Sequence, residues 1–490
     1  MSDQAGLLKL AMTLAEARVL CVGDVMLDRF VTGEVERISP EAPIPVLRVE
    51  GETSMLGGAG NVIRNIVGLG GTARFVGVIG DDDAGREIVL RIDELGRADA
   101  ELIIDADRPT SIKTRFVAGN QQMMRADWES LAEMTESTGA EIVAAAGREL
   151  VDSDCLVLSD YGKGVLDQGR IAALIAAAKA AGKPVIVDPK GADYGRYRGA
   201  DLITPNRKEL AEATGRTIND PAAAIAAASE LRTAHDFGAV LVTLSGDGMA
   251  LVSADGSVHL QAEAREVFDV SGAGDTVVAA VACALSVYAE AADAARLANV
   301  AAGIVVGKAG TAAVSLAEVI AALHHQDISR AEAKLMVDDA ALDRLAVWRR
   351  QGLTIGFTNG CFDLLHPGHV SLIAQARAAC DRLVVGLNSD ASVARLKGAG
   401  RPVQTEAARA TVLASLAGVD AVVIFGDETP LRLIEFLKPD VLIKGADYAK
   451  DEVVGADIVE RNGGRVVLAE LEPGHSTTAT IARLSGGDAG

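Results

Sequence analysis

The stretch Gly360-Cys361-Phe362-Asp363-Leu364-Leu365-His366-Pro367-Gly368-His369 sets two histidines three residues apart, just after an apolar run, Leu353-Thr354-Ile355-Gly356-Phe357, that reads as a buried strand. A helix beginning near Pro367 puts both imidazoles on one face of its first turn. Proline suits that turn, where its missing N–H has no partner to lose. The N–H groups and dipole of a helix start favour anions, so two imidazoles beside them can donate hydrogen bonds to phosphate oxygens. That arrangement suits nucleotidyl transfer, in which charge builds on a pentavalent α-phosphate and pyrophosphate leaves without a covalent intermediate. Taken singly, either histidine reads as a cap or a surface residue; the preceding strand, Phe362-Asp363 and the intervening glycine weigh against that reading. Zinc has less support, because Cys361 and Cys380 lack a paired metal spacing.

Downstream, Lys397-Gly398-Ala399-Gly400-Arg401-Pro402 reads as a basic phosphate loop, and Val441-Leu442-Ile443 as a strand followed by Lys444-Gly445-Ala446-Asp447-Tyr448. Gly474-His475-Ser476-Thr477-Thr478 opens a final helix, for which a plain N-cap is the alternative. With the two histidines, these pieces resemble the HxGH nucleotidyltransferase superfamily, which includes cytidylyltransferases and pantetheine-phosphate adenylyltransferase. The resemblance implies a Rossmann-like domain with His366 and His369 catalytic. It implies nucleotide binding by Phe362, Lys397, Arg401, Ser476 and Thr477, and substrate binding by Lys444 and Asp447. His475 stands where the superfamily commonly has isoleucine, and its role is open.

A second phosphate-handling motif lies upstream. Val267-Phe268-Asp269-Val270-Ser271-Gly272-Ala273-Gly274-Asp275-Thr276 precedes an apolar helical stretch, Val277 to Ala289. Small residues at a helix start let the backbone close on a phosphate, and an aspartate there can take the proton of an attacking sugar hydroxyl, help worth on the order of 10²–10⁴ in rate. A tight turn with an aspartate cap is the plainer account of the motif alone. Further parts precede it: a strand and polar loop from Val19 through Gly23-Asp24 to Asp28; Gly57-Gly58-Ala59-Gly60-Asn61 at a helix start; Gly80-Asp81-Asp82-Asp83; Thr204-Pro205-Asn206-Arg207-Lys208-Glu209 after a strand; and Thr243-Leu244-Ser245-Gly246. In this order they resemble the ribokinase-like sugar kinases. The resemblance implies Asp275 as catalytic base and Gly272, Ala273 and Gly274 as an anion hole. It places sugar ligands at Asp24, Asp28, Gly57, Gly58, Asn61 and Lys113, and nucleotide contacts at Asn206, Arg207, Lys208, Glu209, Thr243 and Gly246. Glu209 would organise Mg²⁺ through phosphates and water. By itself, Asp24 or Asp28 fits a loop cap as well as a ligand.

The 490 residues suffice for two or three domains. A net charge of −21 argues against nucleic-acid and anionic-membrane partners. Phosphate ligands must therefore meet local Lys, Arg, helix ends and Mg²⁺. The five scattered cysteines read as reduced core thiols of a cytoplasmic protein. The N-terminus shows no signal-peptide apolar core, and Val277 to Ala289 is too short to span a bilayer.

Strand-like runs at Arg18, Cys155, Pro184, Asp201 and Ala239 alternate with alanine-rich helical segments such as Ile171–Ala181 and Pro221–Ala234. This alternation predicts an α/β fold, a parallel sheet covered on both faces with ligands beyond the strand ends. Thr32 to Glu50, with three prolines and short β-like pieces, departs from it; the kinase resemblance implies a small β lid there, used for a homodimer, and a surface hairpin is the alternative. The expected organisation is a ribokinase-like three-layer kinase at 1–325, a helical linker at 326–344, and a nucleotidyltransferase at 345–490. The runs Gly23–Arg29, Arg37–Pro43 and Lys444–Tyr448 extend the resemblance to the bifunctional enzymes of ADP-heptose synthesis. That family's chemistry is ATP-dependent phosphorylation of heptose 7-phosphate at C1, then adenylyl transfer from ATP to heptose 1-phosphate. It implies ATP, Mg²⁺ and a monovalent cation as cofactors, and sugar phosphates as the partners. Arg37, Lys113, Arg115 and Arg125 are candidate clamps for the 7-phosphate. A different sugar or polyol kinase joined to a cytidylyltransferase is the competing reading.

Overall fold

Successive residues of a strand face opposite ways, and the first strand of this chain shows what that does to an all-apolar run. In β1 (Arg18–Gly23), Val19 and Cys21 enter one core, while Leu20 and Val22 enter another on the far face. The same split holds in β8 (Cys155–Ser159), where Cys155 and Val157 oppose Leu156 and Leu158. One face is covered by helices Ala59–Gly68, Ala273–Ser286 and Ala291–Val305, the other by Glu136–Leu150, Gln168–Ala180 and Pro221–His235. The result is a three-layer α/β/α unit.

The structure is a computed structural model. It describes residues 4–119, 121–130, 132, 134–263, 267–308, 310–398, 400–446 and 452–470, and the chain divides into two units, Met1–Leu323 and His324–Gly490. In the first unit, β4 (Thr72–Ile79), β5 (Ala98–Ile104), β9 (Val185–Asp188), β10 (Leu202–Ile203), β11 (Ala239–Thr243), β12 (Met249–Ser253) and β13 (Gly256–Leu260) complete a sheet ordered β13-β12-β11-β10-β9-β8-β1-β4-β5. Pairing from β11 to β5 is parallel, and the β11–β12–β13 edge is antiparallel. The chain leaves β1 toward β4 and β5, then returns to β8 on the other side. That reversal opens a crevice beyond the carboxyl ends of β1 and β8.

A second sheet, ordered β3-β2-β6-β7, joins β2 (Val25–Ile38), β3 (Pro45–Gly58), β6 (Ile112–Ala118) and β7 (Gln121–Trp128). The expected lid is therefore four-stranded and larger than the proline-bearing hairpin. Pro40 and Pro43 lie in its turn and Pro45 opens β3, positions where a missing N–H does not break the ladder. Asp28 stands in β2 rather than in a polar loop. The sequence reading placed β-like pieces only from Thr32, so Val25–Val31 of this strand escaped it.

In the second unit, β14 (Leu335–Met336), β15 (Ile355–Gly360), β16 (Arg382–Asn388), β17 (Ala421–Phe425), β18 (Val441–Gly445) and β19 (Arg465–Ala469) form a parallel sheet ordered β14-β17-β16-β15-β18-β19. Its switch point falls between β15 and β18. Residues 335–344, read from sequence as linker, contribute β14 and the start of helix Asp338–Arg350. Leu335 and Met336 pair with Val422 and Val423, so the chain already belongs to the second sheet there. Cys21, Cys155 and Cys283 are free and buried, whereas Cys361 and Cys380 are free and only partly buried, Cys380 packing against the core of the second unit. No helix among the described residues is long and apolar enough to cross a membrane.

Candidate active sites

The first site is assembled at the β1/β8 crevice. Helix Ala273–Ser286 starts with Gly272 as its N-cap, at φ 78°. A side chain there would be strained, and a Cβ would press on Asn61 Nδ2 at 2.7 Å. This turn delivers Asp275 to the crevice, where it is 6% exposed. Its Oδ1 accepts from the Tyr161 hydroxyl at 2.6 Å and its Oδ2 from Asn61 Nδ2 at 2.8 Å. Burial pushes the Asp275 carboxyl up to about 6, although both hydrogen bonds act the other way. It is ionised near neutrality and a stronger base than an ordinary carboxylate.

A cavity of about 230 Å³ carries Asp275, Gly272 and Gly274 on one wall and Asn206, Glu209 and Thr243 on another. Asn206 and Thr243 bridge at the ends of β10 and β11. Asn206 and Glu209 form a reciprocal capping box, with Glu209 N donating to Asn206 Oδ1 at 2.9 Å and Asn206 N to Glu209 Oε2 at 3.0 Å. Lys190 Nζ donates to Glu209 Oε1 at 3.2 Å. Ala273 opens the helix beside Gly272. Arg207 turns away, to Leu244 O at 3.1 Å and to Asp247, and Lys208 is exposed beside Glu212 at 3.7 Å. Neither lines the cavity; their places on the first turn of a helix aim them outward. Gly246 lies exposed in the turn Ser245–Asp247, three residues past Thr243.

On the side of the second sheet, Arg115 Nη1 donates to Asp28 Oδ1 at 2.7 Å. Lys113 pairs in register with Asp28 and sits 5.6 Å from the Tyr161 ring centroid. Burial lowers the Lys113 ammonium from its ordinary value. Gly57, next to last in β3, packs against Asp28, whose carboxylate fills the place a Cβ would take, and Gly58 ends the strand and caps helix Ala59–Gly68. Asn61 faces Asp275. Asp24 is buried, with Oδ2 accepting from Tyr161 N and Lys163 N at 2.9 and 3.0 Å and Oδ1 from Val165 N at 3.1 Å. Of its two readings, this geometry matches the loop cap. Of the four candidate clamps, Lys113 and Arg115 lie beside Asp28, Arg125 pairs with Asp127 at 2.9 Å, and Arg37 lies exposed near the hairpin tip, nine residues beyond Asp28 on β2.

The second site gathers at the β15/β18 switch point. His366 is the N-cap of helix Pro367–Ala378, and the imidazoles of His366 and His369 stack with centroids 3.8 Å apart. Phe362, at φ 43°, packs its ring 5.0 Å from that of His369. Burial and the neighbouring His366 depress the His369 imidazole to about 4, which favours its neutral form. Across the crevice, Lys444 Nζ donates to Asn359 Oδ1 at 2.9 Å. Arg401 is ion-paired with Asp363, whose Oδ1 accepts from Val403 N at 2.7 Å. Arg401 thus ties the basic loop to the β15 end. Lys397 is exposed at the end of helix Asp390–Lys397. Asp447, His475, Ser476 and Thr477 lie outside the described residues.

Four contributors escaped the sequence reading. Tyr161 lies in Asp160-Tyr161-Gly162-Lys163-Gly164, a glycine-rich polar run immediately after a strand, and that pattern could have found it. Asp188 and Lys190 line the cavity at the end of β9. Arg409 is fully buried, and its guanidinium donates to Cys361 O, Asn388 O, Gln404 O and Asp390 Oδ1 at 2.6 to 3.1 Å. Nothing in its helical context marked it.

Residues 16–318 match the pfkB family of carbohydrate kinases, and residues 357–482 match a cytidylyltransferase-like family. Phosphofructokinase-2 from Escherichia coli, in a crystal structure with potassium, superposes with a TM-score of 0.54 at 21% identity, over 63% of this chain and 99% of that one; the likeness shows the ribokinase-like fold. Two relatives, each named bifunctional protein HldE, match almost end to end. The one from Paramagnetospirillum magneticum is 59% identical over 99% of this chain and 100% of its own, and the one from Rhodospirillum rubrum is 58% identical over 99% and 98%. With a sugar-kinase domain and a nucleotidyltransferase domain in one polypeptide, the chain belongs to the HldE family of bifunctional enzymes.

Proposed function

We propose that the first unit phosphorylates the anomeric hydroxyl of heptose 7-phosphate and that the second joins AMP to heptose 1-phosphate, giving ADP-heptose and pyrophosphate for the lipopolysaccharide core, in the cytoplasm. The observation that carries this reading is end-to-end identity to bifunctional relatives, with Asp275 and the His366/His369 pair each set at a strand-end crevice. The heptose itself rests on the family resemblance.

In the first step, ATP lies in the cavity lined by Asn206, Glu209 and Thr243, with its γ-phosphate at the N–H groups of Gly272 to Gly274. The sugar binds beside Asp28, Lys113 and Arg115. Asp275 takes the hydroxyl proton as the sugar oxygen bonds to the γ-phosphorus and the bond to the ADP oxygen breaks. The carboxylates of Glu209 and Asp188 are hard oxygen donors on the cavity wall and suit Mg²⁺, held through water and phosphate. Bound there, Mg²⁺ would neutralise phosphate charge. A monovalent cation belongs to the same reading, in keeping with the potassium of the E. coli structure. In the second step, an oxygen of the sugar 1-phosphate attacks the α-phosphorus of ATP. His366 and His369 donate to the phosphate oxygens as pyrophosphate leaves. Lys444 lies across the crevice to hold a phosphate. A homodimer through the lid is supported by the exposed Ile38, Ile44, Met124 and Trp128 on its strands and hairpin turn.

The test is to incubate the purified chain with ATP or CTP and each sugar phosphate. A sugar bisphosphate from heptose 7-phosphate and pyrophosphate from ATP with heptose 1-phosphate are expected. Pyrophosphate from CTP alone would instead support the cytidylyltransferase alternative.

A further inference from the structure

We propose that Tyr161 is a positioning residue for phosphoryl transfer, its hydroxyl holding the Asp275 carboxylate in the orientation that receives the sugar proton. The inference rests on Asp275 being the kinase base. The hydroxyl is 2.6 Å from Asp275 Oδ1, while Asn61 holds the other oxygen at 2.8 Å. With one donor on each oxygen, the carboxylate plane is fixed, and each oxygen keeps a lone pair for the substrate. The phenol lines the same cavity as Asp275. Its backbone is fixed in turn, because Asp24 accepts from Tyr161 N, Lys163 N and Val165 N. Asp24 thereby acts on the base through the loop that carries Tyr161, which gives its buried carboxylate a purpose that sugar binding would not.

The hydroxyl also sets the charge state of the base. A donor to a carboxylate favours its ionised form, and this one opposes the burial that raises Asp275. Among the described residues, the charged and titratable groups near Asp275 include Asp28 from β2, Lys113 from β6, Arg64 from helix Ala59–Gly68, Asp188 from β9 and Cys21 from β1, with Asp160, Lys190 and Glu209 on the same cavity. None of them replaces the hydroxyl at Oδ1.

The experiment measures kinase kcat and KM against pH in the full chain. Tyr161→Phe should lower kcat by at least about tenfold, within what a positioned base contributes. KM for ATP should change less than about twofold, and the acid limb of kcat/KM should move to higher pH. Replacing Tyr161 with 3-fluorotyrosine keeps the ring and strengthens the donor, so that limb should move to lower pH; this near-isosteric change covers the case in which the phenylalanine variant fails to fold. An unmoved acid limb in the fluorinated protein overturns the proposal, as does a Tyr161→Phe effect confined to KM. If Asp275→Asn retains kinase turnover, the assignment of the base fails instead, and the two failures are distinguishable.

Discussion

Burial moves Asp275 and His369 in opposite directions, because it disfavours whichever form carries charge. The acid rises to about 6 and the base falls to about 4. Kinase kcat/KM should therefore rise with pH through about 6 as Asp275 ionises and then level off, while Asp275→Asn should abolish turnover and leave adenylyl transfer intact. A pH–rate profile of each activity checks both statements. For His369 the folded value lies below the ordinary 6.5. The unfolded chain takes up the proton first as pH falls, so this group's stabilisation is full above about 6.5 and is lost between there and about 4. His369→Gln should flatten that part of the stability–pH curve in thermal melts. A triphosphate beside the imidazole opposes the depression. ATP binding at pH near 6 should then take up more protons in the parent chain than in the His369→Gln variant, as read by calorimetry in buffers of different ionisation enthalpy. Equal uptake would remove His369 from the phosphate site.

At the scale of elements, what was legible in the sequence follows a physical divide. Strands buried on both faces read as unbroken apolar runs, and β17 lies at Ala421–Phe425 as expected from its composition. Motifs carried on one turn, such as His366-Pro367-Gly368-His369, were equally plain, because chemistry and backbone geometry demand the same few residues. Interactions that join distant segments were not. Asp28 meets Arg115 across 87 positions, and no local pattern records such a meeting. Arg409 is the extreme case, a guanidinium on helix Glu406–Ala414 that holds the ends of β15 and β16. Its side chain is fully buried, whereas its partner Asp390 is 40% exposed. Arg409→Met should cost on the order of 3–5 kcal/mol, since it leaves buried acceptors unpaired. Urea unfolding should show the loss in the transition of the second unit alone. Adenylyl transfer should fall with it, and kinase activity should hold; an unchanged transition would show that the strand ends hold their places without the guanidinium.

Across the whole molecule, two reaction centres share a chain without sharing a sheet. Each unit has its own switch point and its own cores, and each site described above draws its residues from a single unit. Helix Leu316–Glu332 begins in the first unit, where Val319 and Leu323 join the core, and runs past the division at Leu323. Lys334 is already committed to the second unit, its carbonyl accepting from Val422 N at 2.8 Å beside β17. The chain should therefore tolerate a break between Ala333 and Lys334 better than one at the division itself, which would sever the helix. Separately expressed pieces 1–333 and 334–490 should each fold, the first retaining sugar phosphorylation and the second adenylyl transfer, with rates within a fewfold of the intact chain. A piece ending at 323 keeps Leu323 but leaves it at a helix terminus, where the last turn frays, so it should melt at a lower temperature than 1–333. Loss of either activity in both divided forms would mean that one unit completes the other's site.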